Sequence, residues 1–580
     1  MKQIFARVSI DTFRRQLASV DSTPQFALLG ICSGLVTGLV IIVFRKMVEM
    51  PLSILLPGNS ENFEGLSWPY YFIMPFVGGL ILALLMSLIK PDHRPVGVTH
   101  VLQRLGRYQG HLPAGNLLTQ LFAGTIGLVS GQSGGREGPA IHLGAAGSSL
   151  LGQYLNLPNN SIRILVGCGA AAAIAGSFNT PIAGVIFSME VIILEYTIAG
   201  FVPVILAAVV AAFLNQLVFG ADIAFGVPPV AMVSFYDLPF LILEGIFIGS
   251  IAALFVKTIQ VIHDLAPTSL PLKLIIAATV TGLAALLVPQ VLGIGYDTVN
   301  STLLGEIPLL ILMAVCFLKL LTSATSVALG MPVGLIGPTI FIGALAGGIL
   351  EAFAHYLTDG LSSAAFYVML GMGAMMGAAL QAPLAALMAV VEMTHNPNII
   401  LPAMLVIVVA NIVASELYGQ KSIFITQMEM LGLDFRQNPL SMALNRASVA
   451  SIMSRSFLRV SQLLDAERIN EINATRPQWL LVDGDEGPDT ILRTEDLVTY
   501  LDVNSIDIGN ENIHPINLNE IPATRKDVTS ILLQATLSEA LDTINDAGVG
   551  ALYVNRISAP LMDSPVGIVT KEDIESYYQL

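Results

Sequence analysis

The feature that most constrains the fold of this chain is a series of long apolar segments, which continues almost without interruption to residue 418. An α-helix needs roughly 20 apolar residues to cross a bilayer. Hydrophobic residues make up 54% of the chain and charged residues only 12%, so a water-soluble fold would lack the polar surface to cover its core. We therefore predict a multi-pass α-helical membrane protein, with clear spans at 26–44, 70–89, 162–187, 191–218, 240–262, 272–288, 307–329 and 399–417.

Other apolar segments are too short to cross a membrane simply. Residues 117–130 lead into a glycine-rich stretch at 131–135, and residues 368–377 end close to Pro383. Short segments interrupted by glycine or proline are typical of half-helices that stop inside the membrane around a binding site. The sequence therefore predicts broken helices around a central site.

An internal repeat supports this prediction. Residues 169–190 read GAAAAIAGSFNTPIAGVIFSME and residues 371–392 read GMGAMMGAALQAPLAALMAVVE, with the same spacing from glycine to proline to glutamate. A Gly-x-x-Gly-Pro sequence precedes each copy, at 135–139 and at 334–338. Paired halves of this kind indicate a repeat transporter fold, with halves at about 24–220 and 238–430. The matched glutamates, Glu190 and Glu392, are expected to cap helices or pack at the repeat interface.

The two glycine-proline motifs are candidates for an anion site. In GREGP at 135–139 the glycines allow close approach of the backbone, and Pro139 suits the first turn of a helix. Free N–H groups and the helix dipole favour an anion at such a terminus. GLIGP at 334–338 offers the same arrangement from the other half. Two facing termini would bind a small dehydrated anion without a full positive charge.

Glu137 stands in the first of these termini. A carboxylate is itself an anion and can occupy an anion site, and an acidic residue inside a membrane is a functional-site hypothesis by default. We predict that Glu137 is a gate, which blocks the path when it is ionised and swings away when it is protonated. A structural salt bridge with Arg136 is the alternative.

These motifs resemble those of the CLC family of chloride channels and chloride/proton antiporters. GREGP is similar to the family's GK/REGP motif, and GLIGP is similar to its GxFxP motif. PVGVT at 95–99 stands at the place of the family's GSGIP motif, and FNTPIAGVIFSME at 178–190 also reads as a family segment. The resemblance covers about residues 24–435. It implies an inverted two-repeat bundle, assembled as a homodimer with one pore in each subunit.

The resemblance also implies the site residues, because each motif position can be carried over to this chain. The implied anion-binding residues are Gly97, Arg136, Glu137, Gly138, Leu335, Ile336 and Phe424. Two hydroxyl-bearing positions of the family pattern are changed: Val96 replaces a coordinating serine, and Phe424 replaces a tyrosine on the last membrane helix. Two hydroxyl donors are therefore lost, each worth on the order of 1 kcal/mol. We expect backbone N–H groups to hold the anion, more weakly.

A third departure concerns proton coupling. In the family's proton-coupled members an acid follows the glutamate of the 178–190 segment, but here Val191 follows Glu190. A valine cannot relay a proton. We therefore prefer a passive chloride channel gated by Glu137. The first alternative is a proton-coupled anion antiporter with a route that avoids Val191, and the second is a membrane-anchored adenine-nucleotide sensor without transport.

The composition changes after the membrane segments. Residues 441–580 carry 10 basic and 21 acidic side chains, and strand-like and helix-like pieces alternate there. Two similar units are predicted, at 447–503 and 524–580, with a polar linker at 504–521 that we expect to loop out. Thr536 and Glu539 have the spacing of a capping box at a helix start. A small α/β tail therefore follows the bundle.

The two tail units resemble a CBS-domain pair, which is common in the CLC family. In the signature of such pairs an aspartate contacts an adenosine ribose, and residues 567–573 fit it with Thr570 and Asp573 in the polar roles. The first unit has Arg493 in place of the small hydroxyl residue, with Asp496 in the second role. Adenine nucleotide is thus the cofactor that the resemblance implies for the tail, although transport requires none. A purely dimerising tail is the alternative.

Several function classes are disfavoured. The sequence has no phosphate-binding loop and no nucleophile-elbow motif, so an enzyme is not expected. No histidine, cysteine or acidic cluster has metal-ligand spacing. The net charge of -15 has the wrong sign for nucleic acid. The cysteines lie in apolar runs and are expected to be buried thiols: Cys32, Cys168 and Cys316.

The topology follows from the basic residues at the start of the chain. Lys2, Arg7, Arg14 and Arg15 precede the first apolar segment, and cytoplasmic segments are enriched in such residues. We therefore expect residues 1–23 to be a cytoplasmic segment. The tail is expected on the same side of an inner or plasma membrane, and the bilayer and a chloride-like anion are the expected partners.

Overall fold

The computed structural model describes residues 17, 23–58, 61–194, 196, 198–220, 225, 231–358, 361–433, 439–484, 487–504, 515–556 and 564–579. Contacts between residues divide these into two units. The membrane unit comprises the described residues of 26–155 and 162–435, and the tail unit comprises those of 1–25, 156–161 and 436–580.

The membrane unit is helical throughout, as expected for backbone that has no water to bind. Within the described residues nine helices are long and apolar enough to cross a membrane, which confirms a multi-pass α-helical protein. The helices are α1 (Thr23–Leu55), α2 (Trp68–Leu88), α3 (Gly97–Arg107), α4 (Ala114–Val129), α5 (Glu137–Tyr154), α6 (Asn159–Phe178), α7 (Pro181–Phe187), α8 (Ile198–Phe219), α9 (Asp237–Asp264), α10 (Leu270–Leu287), α11 (Tyr296–Leu303), α12 (Leu309–Ala328), α13 (Ile336–Leu357), α14 (Ala364–Leu380), α15 (Pro383–Thr394), α16 (Ile400–Ile412) and α17 (Ile423–Met430).

The apolar segment 162–187, predicted as one span, is two helices. Asn179 has a left-handed backbone (φ 60°) and Pro181 opens α7, so the chain breaks between α6 and α7. The second half repeats the break, because Gln381 has φ 55° and Pro383 opens α15. Proline lacks the N–H that a continuous helix would need. The broken helices predicted from the repeat are therefore present at matching places in both halves.

The matched glutamates cap helices across the repeat. Glu190 accepts hydrogen bonds from the backbone N–H groups of Leu384 (3.3 Å) and Ala385 (2.8 Å) at the start of α15. Glu392 accepts from Ile182 (3.0 Å) and Ala183 (2.7 Å) at the start of α7. Each half thus supplies the carboxylate that satisfies the free N–H groups of the other. The capping role expected of both glutamates is confirmed.

Close helix packing at the edge of the bundle depends on glycine. Gly30, Gly34 and Gly38 recur every four residues along α1 and face α8. A Cβ atom built on Gly34 would lie 2.6 Å from the carbonyl oxygen of Ala207. Small residues at this spacing let two membrane helices approach until their backbones touch.

The three cysteines differ in burial. Cys168 and Cys316 are buried thiols in the membrane unit, as expected, but Cys32 is only partly buried. Cys32 follows the exposed Ile31 on α1. A small apolar side chain suits a lipid-facing surface as well as a core, so the apolar run around Cys32 did not determine its burial.

The tail unit contains a six-stranded sheet in the order β1-β3-β4-β6-β7-β8. In each half a parallel pair is extended by an antiparallel strand, β1-β3-β4 and β6-β7-β8, and β4 joins β6. This is the small α/β tail of two similar units that the sequence predicts, and it fits a CBS pair. Its elements are α18 (Pro439–Leu444), α19 (Val449–Ile452), β1 (Phe457–Ser461), β2 (Leu463–Leu464), α20 (Ala466–Thr475), β3 (Trp479–Asp483), β4 (Pro488–Arg493), α21 (Thr494–Val503), β5 (Ile516–Asn517), β6 (Lys526–Leu532), α22 (Leu537–Ala547), β7 (Ala551–Asn555), β8 (Pro565–Thr570) and α23 (Lys571–Gln579).

Of two details predicted for the tail, the capping box is confirmed and the looped-out linker is wrong in part. The capping box of Thr536 and Glu539 is present at the start of α22. The linker at 504–521 does not loop out along its whole length, because Ile516–Asn517 pairs with Leu463–Leu464. Residues 505–514 of that linker lie outside the described residues.

Candidate anion site between the repeat halves

The two glycine-proline loops meet at the centre of the membrane unit. The N–H of Gly135 donates to the carbonyl oxygen of Gly334 (2.7 Å), and the N–H of Gly334 donates to that of Gly135 (2.6 Å). A Cβ atom built on Gly334 would lie only 2.5 Å from the nitrogen of Gly138, so a side chain there would force the loops apart. The starts of α5 and α13 therefore lie side by side, as the repeat predicts.

Glu137, the first residue of α5, is fully buried at this junction. One carboxylate oxygen, Oε1, accepts a hydrogen bond from the hydroxyl of Tyr296 (2.9 Å), and Oε2 accepts one from the N–H of Gly337 (3.1 Å). Gly337 belongs to the first turn of α13. The carboxylate therefore lies at a helix N-terminus of the other half, in the position that favours an anion.

The Arg136 guanidinium has partners other than the Glu137 carboxylate. It donates to the carbonyl oxygen of Ser177 (3.1 Å) and lies 3.4 Å from Glu49. It also lies over the ring of Phe178, with Cζ 5.5 Å from the ring centre. The Glu137 carboxylate therefore binds a hydroxyl and an amide N–H, and it does not form the salt bridge with Arg136 that was considered as the alternative.

A large cavity opens on one side of the glycine junction. Its volume is about 490 Å³, and Arg94, His263 and Lys273 supply basic groups to its wall. The N–H of Gly97 is already bonded to Oε1 of Gln120 (2.8 Å). Most of the site residues implied by the resemblance line this cavity together: Val96, Gly97, Gly138, Leu335, Ile336 and Phe424.

Two smaller cavities lie close to Glu137 and Arg136. A cavity of about 20 Å³ is lined by the Glu137 side chain, and it shares Ile336 with the large cavity. A cleft of about 120 Å³, lined by Arg45 and Arg136, shares Phe178 with the small cavity. The cavity that the Glu137 side chain lines therefore borders the large cavity at Ile336 and the cleft at Phe178.

Val191 is placed apart from these cavities. It follows Glu190 in the π-helical turn Ser188–Ile193 and is buried in the apolar cluster of the membrane unit. An apolar side chain in apolar surroundings offers a proton no acceptor. The structure thus brings five of the seven implied anion-binding residues together at the large cavity, with Glu137 and Arg136 lining the two smaller ones.

Sequence reasoning missed two polar groups near the site. Tyr296 contacts the Glu137 carboxylate directly, and it follows Gly293-Ile294-Gly295, whose second glycine has φ +83°. That glycine pair before a helix was the available signal. The second group is a buried pair of imidazoles, in which Nδ1 of His100 lies 2.8 Å from Nε2 of His142. The two histidines stand 42 positions apart in the chain, and the sequence offered no signal for their contact.

The tail residues named for an adenine nucleotide form a helix cap. Oδ2 of Asp573 accepts from the N–H of Thr570 (2.9 Å) and from its hydroxyl (2.8 Å) at the start of α23. In the first unit Arg493 lies over the ring of Trp479, and Asp496 is in the first turn of α21. Thr570 and Asp573 therefore cap a helix, and adenine-nucleotide binding by the tail stays a prediction.

Comparison with known proteins finds relatives among chloride channels. A family profile described as "Voltage gated chloride channel" matches residues 78–415. A ClcB-like chloride channel protein of Ralstonia nicotianae is 29% identical over 399 residues, which cover 67% of this chain and 92% of the relative. The voltage-gated ClC-type chloride channel ClcB of Escherichia coli O81 is 30% identical over 361 residues, which cover 60% of this chain and 84% of the relative.

Solved structures share the fold. The slow cyanobacterial Cl⁻/H⁺ antiporter superposes with a TM-score of 0.61 at 23% identity, over 70% of this chain and 98% of the antiporter. A eukaryotic CLC transporter gives a TM-score of 0.58 at 17% identity over 97% of this chain and 98% of that transporter. The chain therefore belongs to the voltage-gated chloride channel family, the CLC family, whose members transport anions across membranes.

Proposed function

We propose that this protein moves chloride, or a similar small anion, across the membrane through the three cavities, and that the Glu137 carboxylate gates the path. The observation that carries the proposal is the position of that carboxylate. It is buried at the first turn of α13 and accepts the N–H of Gly337 and the hydroxyl of Tyr296. These neutral donors suit a mobile anion, because a fixed cation would hold it too tightly for throughput.

We propose further that the movement is passive. Val191 supplies no proton acceptor in the turn where the proton-coupled members carry an acid. Glu137 then acts only as a gate: protonation removes its charge and weakens its hold on the two donors, and the anion takes its place.

Proton-coupled exchange is the second candidate, and one contact favours it. His100 lines the large cavity and hydrogen-bonds to the buried His142 (2.8 Å) on α5, the helix that begins at Glu137. Two imidazoles in contact can pass a proton between them. Such a route would start in the cavity and avoid Val191.

The test is ion flux in proteoliposomes that hold the purified protein under a chloride gradient. Chloride efflux and external pH are recorded together for the wild type, Glu137→Gln and Glu351→Gln. Glu351 is a partly buried glutamate near the end of α13, away from the three cavities, and serves as the matched control. Passive conduction predicts chloride efflux without linked proton movement, faster in Glu137→Gln and unchanged in Glu351→Gln.

The other outcomes separate the candidates. Stoichiometric proton movement that disappears in Glu137→Gln, and also in His142→Gln, would establish exchange through the imidazole pair. No chloride movement in the wild type or in Glu137→Gln would contradict both forms of transport. A nucleotide sensor would then remain, and it would be tested by titrating the protein with ATP.

We also propose a homodimer whose termini are both cytoplasmic. The basic residues before the first span support the orientation. Light scattering of the detergent-solubilised protein would give the mass of the assembly, and the mass of a single chain would contradict the dimer. Protease digestion of sealed right-side-out vesicles would report the side of the tail. Removal of the tail by protease added outside would contradict the orientation.

A further inference from the structure

We propose that Tyr296 is an anion-coordinating residue: its hydroxyl and the Gly337 N–H form a donor pair that binds the permeating anion whenever Glu137 leaves the site. The proposal rests on the function proposed above, because it concerns the site that Glu137 gates. It assigns a side-chain hydroxyl to a path whose Val96 and Phe424 carry none.

The contact itself is direct and buried. The hydroxyl of Tyr296 lies 2.9 Å from Oε1 of Glu137, and the N–H of Gly337 lies 3.1 Å from Oε2. Tyr296 has only 6% of its surface exposed and Glu137 has none. Both donors come from the second repeat half, and the carboxylate comes from the first. The carboxylate is therefore a removable occupant of a donor pair that belongs to other elements.

The donor pair does not depend on Glu137 for its position. The Tyr296 ring packs edge-on against Phe225, with ring centres 5.3 Å apart, and is tilted against Phe178 at 6.4 Å. The Arg136 guanidinium lies 5.8 Å from the ring centre. Gly295, which precedes the tyrosine with φ +83°, lets the start of α11 reach the ring of Phe341. These contacts hold the hydroxyl in place when the carboxylate moves.

The chemistry of the donors suits an anion as well as a carboxylate. A hydroxyl and an amide N–H are neutral, so they bind any acceptor of the right size and need no particular ligand charge. When Glu137 swings away, two buried donors would remain unpaired, which is unfavourable in a site closed to water. A chloride ion in the vacated space restores both hydrogen bonds. The same two donors thus stabilise the closed gate and the bound anion.

The experiment separates these two roles by changing the background. In Glu137→Ala the gate is absent, so Tyr296→Phe removes a donor from the anion alone. Calorimetric titration with sodium chloride should give a dissociation constant about fivefold higher in Glu137→Ala/Tyr296→Phe than in Glu137→Ala, the effect of one neutral hydrogen bond. The increase should be smaller for bromide, which accepts hydrogen bonds less strongly. A loss of packing would weaken both anions alike.

Two further variants guard against a folding defect. Tyr367→Phe is the matched control, because Tyr367 is also buried and donates to a carboxylate, Asp237 (2.7 Å), but lies away from the described cavities. It should leave the chloride dissociation constant unchanged. Tyr296→His keeps a ring N–H donor, so its chloride dissociation constant should lie between those of the tyrosine and phenylalanine proteins. Equal losses in the histidine and phenylalanine variants would contradict a donor role.

In the protein that retains Glu137, Tyr296→Phe should favour chloride movement, although it weakens chloride binding in the Glu137→Ala protein. The carboxylate loses one of its two partners, so the gate opens more readily and the chloride flux rises. Unchanged affinity in Glu137→Ala/Tyr296→Phe would overturn the inference while the proposed transport stands. If neither the wild type nor Glu137→Ala binds or passes chloride, the proposed function fails and the inference fails with it.

Discussion

Glu61 lies in the segment between α1 and α2 and lines a separate small cavity together with Arg136. Burial raises the pKa of its carboxyl to about 7. The positive charge of Arg136 lowers this pKa, and the carboxylates of Asp297, Glu49 and Glu137 raise it further. The charge of Glu61 therefore changes near neutral pH, close to the Arg136 guanidinium.

This shift makes stability depend on pH. The folded protein binds the Glu61 proton more tightly than the unfolded chain, so its stability falls as pH rises from 4.5 through 7. Glu61→Gln should raise the stability at pH 8 by on the order of 2 kcal/mol and change it little at pH 5. Thermal unfolding in detergent at the two pH values measures this difference. The exposed Glu575→Gln serves as control, and an equal effect of Glu61→Gln at both pH values would contradict the prediction.

Some residues of the site could be predicted from the sequence, and others could not. Glu137 and the two glycine loops were predictable, because each sits inside a short motif with an evident chemical reason. Tyr296 was not, because 159 residues separate it from Glu137, and a tyrosine in an apolar region usually indicates core packing. The partner of a side chain is set by the tertiary fold, and local sequence carries little information about it.

At the scale of helices, α1 and α8 touch along a row of glycines. The proline at the break before α7 was visible in the sequence, but hydropathy indicates one continuous span there, because it averages over single residues. The close contact of α1 with α8 was likewise not predicted, since the spacing of glycines in one helix does not identify the helix that packs against it.

The glycines of α1 that face α8 predict a loss of stability when alanine replaces one of them. Gly34→Ala should lower stability by about 1–3 kcal/mol, because the added carbon meets the Ala207 backbone at 2.6–2.9 Å and the helices must separate. Gly147→Ala on α5 is the matched control, since its added carbon would meet Val36 at an ordinary 3.6 Å. Melting temperatures of the two variants in detergent test the difference. A tolerated Gly34→Ala would show that the contact is looser than described.

For the whole molecule, the two units have separate hydrophobic clusters. Every described residue that lines the three cavities lies before residue 434. The change in composition after the membrane segments is a strong sequence signal of two units, because membrane and water impose different residue choices.

A chain that ends after residue 435 should therefore keep its chloride flux. Efflux per milligram of reconstituted protein should stay within about twofold of the full chain, because none of the three cavities loses a described lining residue. The full chain with Glu137→Gln gives the reference for an open path. Loss of flux in a truncated protein that remains monodisperse would mean that the tail is needed for transport.

The exchanged caps of Glu190 and Glu392 have a consequence for how the protein is made. The helix that begins at Pro181 receives its capping carboxylate from a residue 210 positions later than Ile182. At roughly 5–20 residues per second a ribosome needs about 10–40 s to add that length. During this time the first half is already in the bilayer with an uncapped helix end, and insertion of the second half completes both halves together.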